Sequence, residues 1–201
     1  MTAHKFARLP LVDPAKAPGS VKEIFELLPD INLFRAMANG GPLFSAYMKF
    51  LDLLFRPMEL DSRLGRMLIL HISRRSECEY AWKQNTLVAK VIGVADQQVD
   101  AIRQGAIVAP RFTESEIAAF RFVDEAMDLI EVTDPTFERA KQFFSDRALT
   151  EVLYIVGAYM FIARIGRTAR VPFDRLDEET ALAATTRMMA KHRERSSTEL
   201  N

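Results

Sequence analysis

From Arg63 to Ile92 the chain reads as one apolar helix running directly into a second. The first spans Arg63–Arg75. In its centre, Met67-Leu-Ile-Leu-His71-Ile, the histidine is the one polar side chain. The second runs from Glu77 to about Ile92 and is closed by Gly93, the residue type that most easily takes the left-handed conformation of a helix stop. The only cysteine, Cys78, stands at the junction, and the only tryptophan, Trp82, one turn later. A further helix at 147–164 is apolar nearly all round, so it must be buried inside the domain or against another subunit. A chain with these segments has to build a packed helical core.

The remaining segments agree with that demand. Pro10, Pro14, Pro18 and Gly19 disfavour helix, so residues 1–20 are expected to form an extended arm over the surface or over a neighbouring subunit. A short helix is expected over Val21–Leu28, with Ser20 and Glu23 at capping-box spacing, and Pro29 stops it. Asn32–Ala38 reads as a second short helix, ended by Asn39-Gly-Gly-Pro42. Leu43–Phe55 carries Phe44, Tyr47, Met48, Leu51, Leu54 and Phe55 at helical spacing. Asp61 or Ser62 can cap the apolar helix that follows. Beyond Gly93, short helices are expected at 95–104 and 136–144. A long one is expected over Glu114–Ile130, opened by the capping box Thr113-Glu-Ser-Glu116. No stretch alternates apolar with polar residues over a strand's length. The fold class is therefore all-α, a compact helical bundle. The expected organisation is an arm over 1–20, a helical domain over 21–175 and a charged C-terminal helix or tail over 176–201.

Charge and length exclude several classes of function. Lys plus Arg and Asp plus Glu number 27 each, so no basic excess argues for nucleic acid. The longest strongly apolar run, Val152–Ala163, falls short of the roughly 20 residues of a membrane span. Met1–Pro10 lacks the apolar core of a secretory signal. A lone cysteine cannot form an intrachain disulfide and agrees with a reducing compartment, so the expected location is the cytoplasm. Three scattered histidines and one cysteine show no metal-ligand spacing. Neither a metal nor a cofactor is implied.

The stretch Arg66–Asn85 resembles the core motif of the carboxymuconolactone decarboxylase and alkyl hydroperoxidase D family. Redox members of that family carry a Glu twelve residues before the first cysteine, followed by Cys-x-x-Cys-x-x-x-His. The matching positions here are Arg66, Cys78, Ala81 and Asn85. The likeness runs from about Leu9 to Pro172. Asn32-Leu-Phe-Arg-Ala-Met-Ala38 resembles the segment before the family's first long core helix. Cys78-Glu-Tyr-Ala-Trp82 resembles its Cys-Glu-Tyr-x-Trp. Ala89-Lys-Val-Ile-Gly-Val94, followed by Asp96, resembles its turn into the next helix. Residues 113–124 and 144–164 resemble its C-terminal pair of helices. The resemblance implies an all-α bundle assembled as a homo-oligomer (dimer, trimer or hexamer), acting on a small-molecule substrate.

The residues at the motif positions decide which chemistry is open. In a two-cysteine peroxidase one thiolate attacks peroxide and a second thiol resolves the sulfenic acid. Ala81 cannot resolve anything. Arg66 cannot act as a base, because its pKa lies above about 12. Asn85 hydrogen-bonds but does not carry a proton. Arg66 has two readings: a surface arginine on the polar stripe with Arg63, or a pocket cation that takes a carboxylate bidentately with Asn85 beside it. Cys78 also has two: a small buried apolar residue, or a thiol activated by the first turn of a helix and a nearby guanidinium.

His71 lies five residues beyond Arg66, about 140° around the helix, so it should face elsewhere. It reads first as a core histidine with a satisfied hydrogen bond, and second as the best acid/base by type. Glu77 and Glu79 suit a helix N-terminus. Trp82 reads first as packing and second as a surface on which a ligand stacks. Glu151 is a carboxylate beside an apolar run, either paired or reaching a pocket.

Three functional readings follow. One is a carboxymuconolactone decarboxylase-like enzyme of decarboxylase or lyase type, with acid/base chemistry on a carboxylate-bearing lactone or organic acid. There Arg66, Asn85 and Trp82 would bind substrate, and Cys78 or His71 would move the proton. Another is a one-Cys, peroxiredoxin-like peroxidase using Cys78 with an external thiol. The third is a binding or assembly protein that has lost the catalytic relay.

Overall fold

The computed structural model of the chain describes residues 7–54, 56 and 58–174. Among them are nine α-helices, two 3-10 turns and no strand. The expected tail over 176–201, Phe55, His4 and His192 lie outside the described residues. The chain divides into two compact units, one of residues 1–56 and 162–201, the other of 57–161.

The first unit holds a 3-10 turn (Pro14–Lys16), α1 (Gly19–Leu27), α2 (Asn32–Met37), a second 3-10 turn (Ala38–Gly40) and α3 (Pro42–Leu54). The arm is tied down by backbone bonds. The Arg8 amide donates to the Ala169 carbonyl at 2.7 Å and that of Val12 to Arg35 at 3.1 Å. Helix α1 starts two residues earlier than expected. Pro18 precedes it with extended backbone and no side-chain cap. Ser20 therefore lies inside the helix, its carbonyl accepts from the Ser45 hydroxyl at 2.9 Å, and the expected capping box does not form. Phe25 of α1 and Phe44 of α3 pack with ring centroids 5.5 Å apart.

The second unit contains α4 (Ser62–Arg75), α5 (Glu79–Val91), α6 (Asp96–Gln104), α7 (Glu114–Asp128), α8 (Asp134–Lys141) and the first part of α9 (Asp146–Thr168). Asp61 caps α4, its carboxylate accepting from the Leu64 amide at 2.8 Å. Every residue from Leu64 to Ser73 is buried.

The helix ends explain the tight α4–α5 junction. The Cys78 amide donates to the Ser73 carbonyl and the Glu77 amide to that of Arg74, both at 2.9 Å. Those two bonds are the pair that closes a helix when its next residue turns left-handed. Glu77 is that residue, with φ at 49°. It is thus no part of α5, and the dipole reading of Glu77 does not apply. Cys78 both completes the end of α4 and serves as the N-cap of α5, one position before the first turn assigned to it from sequence. Gly93 closes α5 in the same way, at φ 82°.

Polar side chains fasten the other helices. The Thr113 hydroxyl accepts from the Glu116 amide at 3.2 Å, while the Glu116 carboxylate accepts from the Thr113 amide at 2.8 Å. The same carboxylate takes Arg63 of α4 at 2.6 Å, and Arg63 also donates to Gln98 of α6 at 2.7 Å. Glu151 proves to be paired. It accepts from the Leu60 and Glu59 amides at 2.8 and 3.2 Å and from Arg147 at 3.1 Å. Burial pushes its carboxyl up, but these bonds outweigh it and leave the pKa lowered. The aromatic residues of α7, Phe120 and Phe122, are fully buried.

Helix α9 runs 23 residues, longer than its apolar run, and is long and apolar enough to cross a membrane. Half of its apolar stretch is buried within the chain, and Leu153 and Tyr154 are exposed. Thr113→Ala removes the α7 cap and should cost about 1 kcal/mol. Urea unfolding checks it: the midpoint should fall with the slope unchanged.

Candidate functional site

Arg66 and Asn85, two of the motif positions, meet inside the second unit. Arg66 lies one turn into α4 and is 5% exposed; Asn85 lies midway along α5 and is 7% exposed. Burial removes the surface-stripe reading of Arg66. Its Nη1 donates to Asn85 Oδ1 at 2.5 Å. The other end of the Asn85 amide donates to the Ala81 carbonyl at 2.8 Å. A guanidinium only donates and a carbonyl only accepts, so the two bonds together fix which way the amide faces.

A third residue, Tyr159 of α9, completes the cluster. Its hydroxyl donates to Asn85 Oδ1 at 3.3 Å and accepts from Arg66 Nη1 at 3.5 Å. Sequence reasoning passed over it. Its one signal, shared with Tyr154, is a phenol tip inside the apolar run Val152–Ala163, where a buried hydroxyl calls for a hydrogen-bond partner. Burial raises the Tyr159 pKa above the ordinary phenol value, and the nearby Arg66 charge acts in the opposite direction. The residue is a neutral phenol at physiological pH. All three polar residues keep a sliver of exposure, whereas Met67, Leu68 and Leu70 on α4 have none.

Cys78 is buried, 2% exposed, at the N-cap of α5. It precedes Asn85 by seven residues, two helical turns or roughly 10 Å of rise. Trp82, half-buried, lies beneath the Arg103 guanidinium of α6, 4.8 Å from its ring centroid, and Arg103 pairs with Glu79 at 2.9 Å. Trp82 thus packs against α6.

His71 faces another helix. Its Nε2 is 2.7 Å from Asp124 Oδ1 of α7, and its ring meets Phe120 edge-on at 5.0 Å. Asp124 also takes Arg75, which reaches Asp128 at 2.7 Å. His71 Nδ1 is buried without a hydrogen-bond partner. Burial pushes the Asp124 carboxyl up, but the His71 hydrogen bond and the charges of His71 and Arg75 prevail, and its pKa is lowered. An ionised Asp124 requires Nε2 to carry the proton whenever the imidazole is neutral. The contacts of Arg66 and of His71 thus lie on different helices, as the 140° between them requires. No group of three or more acidic, histidine or cysteine side chains able to hold a metal occurs among the described residues.

The chain matches no family model and no curated protein sequence. Its fold is found among solved structures. One, described as an alkylhydroperoxidase AhpD core, is an uncharacterised peroxidase-related protein from Ralstonia eutropha. It matches with a TM-score of 0.75 at 18% identity, over 91% of this chain and 98% of that one. An uncharacterised peroxidase-related protein from a Silicibacter species matches with a TM-score of 0.73 at 15% identity, over 90% and 97%. The debrominase Bmp8, as a cysteine-to-alanine variant in complex with 2,3,4-tribromopyrrole, matches with a TM-score of 0.68 at 15% identity, over 94% and 100%. The chain has the alkylhydroperoxidase D-like helical fold.

The lowered pKa of Asp124 sets an acid limit. A carboxyl held below its unfolded value, about 3.9, contributes stability above that pH and loses it as pH falls through the folded value. Thermal unfolding between pH 2.5 and 7 should therefore show a steeper acid decline in the native chain than in Asp124→Asn.

Proposed function

We propose that this chain is a small-molecule enzyme that acts by proton transfer on a carboxylate-bearing lactone or organic acid, with Arg66 receiving the carboxylate. The observation that carries the reading is the buried Arg66 guanidinium bonded to Asn85 at 2.5 Å, on the two positions where redox proteins of similar sequence pattern hold a Glu and a His. A buried fixed cation favours a desolvated anion, and the planar fork of arginine matches a carboxylate. Ala81 removes the second thiol, so a disulfide cycle within the motif is closed to this chain.

Benzoate and small aliphatic carboxylates should raise the melting temperature of the native protein, and their methyl esters should not. Arg66→Met should weaken carboxylate binding about 10- to 100-fold, the size of a charged hydrogen bond. Arg66→Lys keeps the charge, loses the fork and should fall between. Equal stabilisation by acids and esters would remove Arg66 from substrate recognition.

A one-Cys thiol chemistry is the second reading. It is supported by Cys78 at a helix N-cap, where the dipole favours a thiolate. The peroxidase-related descriptions of similar structures and the cysteine variant of the debrominase add to it. The rate of iodoacetamide alkylation against pH separates the two. The acid/base reading expects slow labelling with an apparent pKa at or above about 8.5. Rapid labelling with a lower pKa, together with peroxide consumption in the presence of a small thiol, would favour the peroxidase.

A further inference from the structure

Helix α9, one unbroken helix from Asp146 to Thr168, has two faces. Val152, Ile155 and Tyr159 are buried on one of them, the side on which the Tyr159 hydroxyl meets Asn85. On the other, Asp146, Thr150, Leu153, Gly157, Phe161 and Arg164 recur every three or four residues and are all exposed. By the 3.6-residue repeat they share about 100° of arc. Leu153 is 46%, the neighbouring Tyr154 54% and Phe161 41% exposed. Apolar side chains at this spacing make the kind of seam along which two helices pack.

Gly157 sits at the centre of the seam. Glycine is a poor helix former, so one in mid-helix calls for a reason. The chain itself supplies none: a methyl group added there would meet no described atom within 4 Å. A bare Cα at the surface does leave room for a second helix to approach closely.

The charges along the seam say what that second helix is. The seam is acidic at Asp146, which also takes Lys141, apolar in the middle and basic at Arg164. We infer that this face binds the same face of a second copy of the chain, antiparallel, with the two-fold axis at Gly157. A two-fold contact sets residues equally far before and after its axis against each other. Leu153, four before, meets the partner's Phe161, four after. Asp146 and the partner's Arg164 stand four residues apart along the seam, about 6 Å, within the reach of an arginine side chain. Antiparallel alignment also places the negative end of each helix dipole beside the positive end of the other. A parallel pair would instead set Asp146 on Asp146 and Arg164 on Arg164. The pairing is independent of any role for Arg66, since it uses the face of α9 turned away from the buried cluster.

Sedimentation at micromolar concentration and disulfide trapping test the pairing. The native chain should sediment as an assembly of paired copies and Gly157→Arg at half its mass. The variant should keep its helical circular dichroism, because the site is open and arginine is the better helix former. A native monomer, or an assembly whose mass Gly157→Arg leaves unchanged, would overturn the inference. Trapping reads the alignment without disturbing the face. Gly157→Cys lies on the axis and should oxidise to a covalent dimer. Leu153→Cys should not, because two copies of residue 153 are eight residues apart along an antiparallel seam, about 12 Å, beyond the roughly 7 Å that a disulfide spans. Cys78, 2% exposed, is shielded in both variants. Equal trapping of both positions, or of neither, would remove the antiparallel contact.

Discussion

Ten consecutive buried residues, Leu64 to Ser73, make α4 the element to which the second unit answers. A helix enclosed on every side has no solvent in which to satisfy its polar groups, so each must find a partner on a neighbour or on itself. Arg66 finds Asn85 on α5 and Tyr159 on α9. His71 finds Asp124 on α7. Ser73 turns back to the Ile69 carbonyl at 2.7 Å. At the rim Arg63 joins Gln98 of α6 to Glu116 of α7. These bonds add modest net stability, but each leaves a costly orphan if its partner is lost. They therefore hold the neighbouring helices in one arrangement more than they hold the unit folded.

The same constraint explains why Arg66 and Asn85 form a cluster although neither side chain passes a proton. The α4–α5 hairpin brings Arg66 and Asn85 together. With Glu and His there, the pair can pass a proton. With Arg66 and Asn85 it holds a fixed positive charge and an amide of fixed orientation, and the Tyr159 hydroxyl bonds to both. A shared fold thus constrains where chemistry can occur but leaves the kind of chemistry to the residues at the site.

Much of this was legible in the chain. Thr113-Glu-Ser-Glu116 forms the box its spacing predicts, because a capping box is made within four residues and needs no tertiary help. Asp61 caps α4 and Gly93 ends α5 for the same local reason. Ser20 with Glu23 has similar spacing and fails, because Pro18-Gly19 starts the helix earlier and buries the signal inside it. Glu77 misled for a related reason: an acidic residue near a helix start suits the dipole, but the closing bonds of α4 need a left-handed residue at that place and take Glu77 for it.

The amino-acid order alone determined that the chain is helical and where most helices begin and end, since capping and periodicity act over a few residues, while a resemblance to a known motif singled out Arg66, Cys78 and Asn85. Tertiary structure decided which of those side chains meet. Helix phase and packing join Arg66 to Asn85, turn His71 toward Asp124, set Trp82 under Arg103 and bring in Tyr159 from 74 residues beyond Asn85. No local rule relates positions so far apart, because their contact is fixed only when the faces of three helices are buried against one another.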